Sequence, residues 1–222
     1  MTPKAILFDL DGTLWNRDAA VRALWASQHQ TWQDSLGHVS CDQFVESATR
    51  LDEKGTVDKR LMYQRLAQTC EFSEIVSAEL YADFQSRYET LYAPFPEVIE
   101  TLRELRRRGL KLGIITNGSR QIQQMKMDRM DLPPLMDVVL IGDEAGPRKP
   151  DAAIFRQAVA LLGVTASEAW FVGDGPLVDI GGAYAAGLKA IWRQSEGWDP
   201  PTVPCETIRS LDELLSLVSQ AS

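Results

Sequence analysis

Two aspartates, Asp9 and Asp11, follow directly on the short apolar run Lys4-Ala5-Ile6-Leu7-Phe8. Further along come Thr116-Asn117-Gly118-Ser119, then Arg148-Lys149-Pro150-Asp151, then Gly173-Asp174 running on to Asp179. Carboxylates gathered in one place repel one another unless a hard cation sits among them. Magnesium takes oxygen ligands and keeps several waters, so it suits a sparse acidic site, with Asp9 and Asp174 as carboxylate ligands. Lys149 and the Thr116–Asn117 pair, on a loop leading into a helix, can hold a phosphoryl group. Gly12 and Gly118 permit tight turns in which amide N–H groups face that anion. Singly, each segment also reads as a plain turn, cap or loop. Their order along the chain argues for one joint site.

Such a site needs elements that bring the four segments together. Apolar runs predict strands at Lys4–Phe8, Leu110–Ile115, Val138–Ile141, Ala169–Val172 and Lys189–Trp192. Between and after them, helical patterns cover Glu97–Arg108, Arg120–Met130, Ala152–Leu162, Pro176–Ala186 and Leu211–Val218. Strand–helix alternation with near-continuous apolar strands predicts an α/β fold, a doubly wound, Rossmann-like parallel sheet covered on both faces. Ligands of such sheets bind outside the carboxyl ends of the strands, where these segments fall. From Asp18 to Leu91 the pattern is helical throughout. Val21, Trp25, Gln28, Trp32 and Leu36 recur at spacings of three and four, and all but Gln28 are apolar. Gly37 fits a helix stop, Ser40 and Ser73 fit N-caps, and Gly55 breaks the stretch. Ala93-Pro94-Phe95-Pro96 ends it. The expected division is an α/β core of 1–16 and 94–222 with an inserted four-helix domain at 17–93.

The segments Phe8-Asp9-Leu10-Asp11-Gly12-Thr13-Leu14, Ile115-Thr116-Asn117-Gly118, Arg148-Lys149-Pro150-Asp151 and Gly173-Asp174 through Asp179 resemble the four motifs of the haloacid dehalogenase-like hydrolase superfamily. The helical insertion resembles that family's cap, and the likeness runs from Lys4 to Trp192. The resemblance implies a nucleophile at Asp9 and a general acid/base at Asp11, whose backbone carbonyl also binds magnesium. It implies that Thr116 and Lys149 hold the phosphoryl oxygens, with Asn117 beside them on the substrate. Asp174 would bind the metal, and Asp179 would support it, directly or through water. An aspartate at position 11 resembles phosphatases and phosphomutases; the halide-removing branch has an aromatic residue there and the phosphonate-cleaving branch a small one. Residues 116–123 and Ala190-Ile191-Trp192 are similar to the nucleotide and sugar-phosphate monophosphatase branch. Val178 departs from the polar residue that many relatives carry beside the last aspartate. The implied activity is magnesium-dependent hydrolysis of a small phosphate monoester through an aspartyl-phosphate. A sugar phosphomutase, or a phospho-ligand-binding protein without turnover, are the alternatives.

The rest of the chain narrows the partners. A formal net charge of −8 argues against a dedicated nucleic-acid binder, whose phosphate contacts need a basic surface. No apolar run approaches the roughly 18 residues of a membrane span. Met1-Thr2-Pro3-Lys4 does not begin a signal peptide, so a cytoplasmic enzyme acting on a small phosphorylated metabolite is expected. Cys41, Cys70 and Cys205 form no CxxC, and His29 and His38 lack metal-ligand spacing. Trp25 and Trp32, seven residues apart, read as a core seam. Arg106-Arg107-Arg108 reads as a helix C-terminus. Trp15, Asn16, Arg17 and Phe95 lie on the linkers. Arg50, Lys54, Lys59 and Arg60 flank Gly55, either as contacts to an anionic leaving group or as a solvated face.

Overall fold

The computed structural model describes residues 2–143 and 146–221. By its contacts the chain forms two compact units, Met1–Asn16 with Ala93–Ser222, and Arg17–Tyr92. The first strand, β1 (Ala5–Phe8), is buried at every position. It shows no apolar–polar alternation because both of its faces are covered.

The chain then enters the helical unit, which forms the inserted cap. It comprises α1 (Arg17–Thr31), the short α2 (Gln33–Leu36), α3 (Cys41–Asp52), α4 (Lys59–Cys70) and α5 (Glu74–Arg87). Ser40 opens α3 with a reciprocal capping box to Gln43, and Ser73 accepts from the Val76 amide to open α5. Gly37 closes α2 in a right-handed conformation, whereas Gly55 breaks the chain at φ +88°. Trp25 is fully buried beside Phe44, Tyr63 and Leu80, and Trp32 packs against that cluster half-buried. Gln28 is the polar exception to the helical stripe because it satisfies buried groups. Its amide donates to the Leu80 carbonyl (2.8 Å) and accepts from the Tyr63 hydroxyl (2.7 Å). His29 and His38 each meet a backbone carbonyl, of Val39 and Cys70. Of the cations flanking Gly55, Lys54 pairs with Asp18, Lys59 joins Arg17 on Asp52, and Arg60 lies over the Tyr81 ring, while Arg50 is exposed.

The second crossing leads to α6 (Val98–Arg107), β2 (Lys111–Asn117), α7 (Arg120–Arg129), β3 (Val138–Gly142), α8 (Ala152–Leu162) and β4 (Ala169–Gly173). A wide helical turn, Pro176–Gly181, runs into α9 (Gly182–Ala185). β5 (Lys189–Arg193), β6 (Glu206–Ile208) and α10 (Glu213–Gln220) complete the unit. All strands are parallel, in the order β3-β2-β1-β4-β5-β6, which is the doubly wound arrangement. Leu7, Ile115, Phe155, Phe171 and Ile180 anchor the apolar layer on one face.

The cap carries a fifth, four-residue helix, α2, beyond the four expected, and three elements of the α/β unit depart from the sequence expectation. β2 runs on through Thr116 and Asn117, because both pair with β3 at Ile141 and Gly142. The helix expected over Pro176–Ala186 is a wide turn followed by a short α-helix. β6 has no apolar run to announce it: two of its three residues are exposed, and it exists by pairing with β5 at the sheet edge. At the end of β5 the buried Arg193 donates to the Thr13 carbonyl (2.8 Å) and Glu97 (2.9 Å) and lies 3.7 Å over the Phe95 ring. It thereby pins both chain crossings to the sheet.

Candidate active site

β1 and β4 are in register through Phe8 and Val172, so Asp9 and Asp174 leave neighbouring strand ends. The Asp9 amide donates to the Val172 carbonyl (2.9 Å), which extends the ladder by one rung and fixes Asp9 against β4. The Asp9 carboxylate is buried and receives the Lys149 ammonium. Lys149, itself 3% exposed, also donates to Asp179 Oδ1 (2.7 Å). The second Asp179 oxygen takes the Gly175 amide (2.9 Å). Asp179 comes close because Gly173 has no side chain: a Cβ there would lie 2.5 Å from the Cβ of Asp179.

Asp9, Asp174 and Asp179 each place a carboxylate oxygen within 4.8 Å of the others. Three carboxylates against one ammonium leave a double negative charge in a largely buried cluster. An all-oxygen donor set with that charge fits a hard divalent cation. The electrostatics agree. Burial pushes the Asp9 carboxyl well above the usual range; Lys149 pulls it down, while Asp179, Asp174 and Asp11 push it further up. For Lys149, burial works against the charge, but Asp179 and Asp9 outweigh it and hold the ammonium above the ordinary lysine value.

Gly12 sits at φ +85°, in the left-handed region, and a Cβ there would lie 2.5 Å from Asp174 Oδ2. The turn after Asp11 therefore requires glycine twice over, for its backbone and for the approach of Asp174. Asp174 itself is bonded by the Trp198 indole (3.1 Å) and the Ser195 hydroxyl (3.4 Å), and its carbonyl by the Trp192 indole (2.9 Å).

On the β2 side, Thr116 is buried with its hydroxyl accepting from Gln123 Nε2 (2.6 Å). Asn117 does not offer its amide group to the site. It clamps the Lys149 backbone, donating to the carbonyl (2.8 Å) and accepting from the amide (2.9 Å). Asp11 turns the other way from Asp9, toward α7, where the Lys126 ammonium (2.6 Å) and the Trp15 indole (2.9 Å) meet one oxygen and Gln123 (2.9 Å) the other.

A model of the family described as haloacid dehalogenase-like hydrolase matches residues 3–187. The chain belongs to that family. This haloacid dehalogenase-like hydrolase is 31% identical over 234 aligned positions to the glyceraldehyde 3-phosphate phosphatase of Methanopyrus kandleri, covering 98% of this chain and 97% of that one. It is 39% identical over 125 residues to the phosphoserine phosphatase of Thermus thermophilus, but the match spans only 55% of this chain and 50% of that protein. Among solved structures, the HAD phosphatase of Thermococcus onnurineus is 29% identical with a TM-score of 0.65, covering 97% of both chains.

The sequence places Asp9, Lys149, Asp174, Asp179 and Thr116 around this strand edge, and the structure brings them there. The partners of Asp11 escaped the sequence reading. Gln123 and Lys126 sit in the expected helix, and their spacing of three, which puts both on one face, was the available signal. Trp15 was placed on a linker; its indole lies four residues beyond Asp11, within reach of that carboxylate. Ser195 and Trp198 come from a loop that no motif marked. Among the described residues no helix is long and apolar enough to cross a membrane.

Proposed function

We propose that this hydrolase cleaves a small phosphate monoester, with magnesium held by Asp9, Asp174 and the backbone carbonyl of Asp11. The observation that carries the reading is the buried Lys149–Asp9 pair with a second carboxylate, Asp11, one turn away. That set supplies a nucleophile, a cation for the phosphoryl oxygens and a proton carrier. Asp9 attacks phosphorus in line, forming a new P–O bond as the ester P–O bond breaks. The leaving oxygen takes the proton of the Asp11 carboxyl group, which becomes a carboxylate. That carboxylate then takes a proton from water while the water oxygen bonds to phosphorus. The bond to Asp9 breaks, inorganic phosphate leaves, and both aspartates return to their starting states. Lys149 and the Thr116 hydroxyl hold the phosphoryl oxygens. Asn117 acts through Lys149, whose backbone it grips, and Asp179 steadies the same ammonium from behind. Magnesium, when bound, neutralises charge on the transferring group.

The relatives named for glyceraldehyde 3-phosphate and phosphoserine support a small monoester as substrate. Residues 17–93 serve as the cap that selects the leaving group, in a cytoplasmic enzyme. The test is phosphate release from a panel of phosphorylated metabolites, with magnesium and with chelator. Metal-dependent release from at least one small monoester is expected. Activity undiminished by complete metal removal, or chloride release from a 2-haloacid instead, would overturn the reading.

A further inference from the structure

The proposed mechanism needs the Asp11 carboxyl group in one place. Asp11 is only partly buried; its backbone bridges to Trp15, whose indole donates to it from the same turn (2.9 Å). Further donors come from α7. Gln123 and Lys126, three residues apart, project from one face of that helix and are 2% and 5% exposed. Burying an ammonium is costly unless an anion meets it, and for Lys126 that anion is the carboxylate form of Asp11, 2.6 Å away, the form the proposed mechanism reaches once the leaving oxygen has taken the proton. The ammonium also lies 5.6 Å over the ring of Trp15, whose indole N–H donates to the same carboxylate oxygen. Gln123 does double work. One amide nitrogen reaches Asp11 Oδ2 (2.9 Å), Thr116 Oγ1 (2.6 Å) and the Asn117 carbonyl (3.2 Å). A Thr116 hydroxyl that accepts from Gln123 has its own hydrogen left to donate to a phosphoryl oxygen.

We infer that Lys126 and Gln123 are positioning residues that dock the Asp11 carboxyl group on α7, and that Gln123 sets the Thr116 hydroxyl in the same register. The inference rests on the proposed phosphatase reading, in which Asp11 carries the proton. α7 then holds two functions in one rigid body: proton transfer through Asp11, and phosphoryl contact through Thr116. Neither residue touches the reacting atoms; both act through a neighbour.

The test uses the full chain with magnesium and two substrates, glycerol 3-phosphate as an alkyl ester and 4-nitrophenyl phosphate as an aryl ester. Lys126→Met keeps the aliphatic bulk beside Trp15 and removes the charge. An alkoxide cannot leave without a proton, whereas nitrophenolate can. A displacement of about an ångström at a reacting group costs on the order of a hundredfold. Alkyl-ester turnover in Lys126→Met should therefore fall by about a hundredfold, while phosphorylation by the aryl ester changes less than tenfold. Mass spectrometry of quenched aryl-ester reactions should show phosphoenzyme accumulating in Lys126→Met, as in Asp11→Asn. Combining the two substitutions should add little to Asp11→Asn alone, because both remove the same function. Gln123→Met should lower use of both esters, since it also releases Thr116, and should raise KM.

Two results overturn the inference and leave the phosphatase reading standing: equal losses on both esters in Lys126→Met, or full additivity with Asp11→Asn, when Asp11→Asn itself accumulates phosphoenzyme. A silent Asp11→Asn, with no phosphoenzyme in any variant, brings down the phosphatase reading and this inference with it.

Discussion

Lys149→Met is the perturbation whose size follows most directly from the geometry. Its ammonium is buried and donates to Asp9 and Asp179. Removing one partner of a buried ion set leaves the other charges unpaired, at a cost of about 3–5 kcal/mol. For a chain of this length each kcal/mol moves the melting temperature by about 2–4 °C, so a fall of about 6–20 °C is expected in chelator. Magnesium should restore part of that loss, because in the proposed reading it binds the same carboxylates. Catalysis should suffer separately. Losing one preorganised positive partner of the transferring group costs about a hundred- to a thousandfold in turnover. Thermal melts with and without magnesium, run beside kcat/KM on 4-nitrophenyl phosphate, read both effects. A variant that melts like wild type in chelator and keeps kcat/KM within threefold would show that Lys149 is a bystander and that the charge argument for the cluster is wrong.

Asp174→Asn should weaken magnesium binding, measured by titration calorimetry, and largely abolish turnover while the circular dichroism spectrum stays unchanged. Gly12→Ala forces an L side chain to φ +85° and drives its Cβ against Asp174; a stability loss of about 1–3 kcal/mol is expected from denaturant unfolding, with reduced magnesium affinity. Glu168, held down to about 2 by hydrogen bonds from Lys4 and Thr165, tests the other pole of the sheet. A depressed carboxyl contributes stability above its unfolded value of about 4.3, and that contribution is lost as pH falls through the folded value. Glu168→Gln should therefore melt below wild type at pH 6, and the difference should vanish as the pH drops from about 4.3 toward about 2; a gap independent of pH would exclude ionisation as its source.

What could be read from the sequence follows what each residue's role depends on. β1 and β4 are legible because strands buried on both faces must be apolar throughout, and Ala5–Phe8 and Ala169–Val172 are. Asp9, Asp174 and Lys149 are legible as site candidates because chemistry in such sheets collects at strand ends, a rule of topology. β6 is not, because an edge strand of three residues is made by its neighbour, and Glu206-Thr207 carries no pattern of its own. Asn117 reads as a ligand-facing loop residue, yet β2 extends to it and turns its amide onto Lys149; strand length was set by β3, not by local propensity. Lys126 and Gln123 read as ordinary polar positions of a helix. Their spacing of three puts both on one helix face, but the partner they share, Asp11, lies more than a hundred residues away in sequence, and that spacing does not name it.

The two aspartates of the first turn show how one short segment can serve two chemical ends. Asp9 and Asp11 are separated by a single leucine, Leu10, whose fully buried side chain anchors the turn. Asp9 continues the β1 direction into the buried cluster, where its partners are the Lys149 ammonium and two further acids. Asp11, past the buried leucine, receives hydrogen bonds from Gln123 and Lys126 of α7 and from the Trp15 indole. In the proposed reaction Asp9, which bonds to phosphorus, is fixed at a strand end, and Asp11, which carries the proton, is only partly buried. The left-handed Gly12 that follows closes the turn in the space beneath Asp174. The single-residue separation of Asp9 and Asp11 thus gives each carboxylate its own ammonium, Lys149 for one and Lys126 for the other.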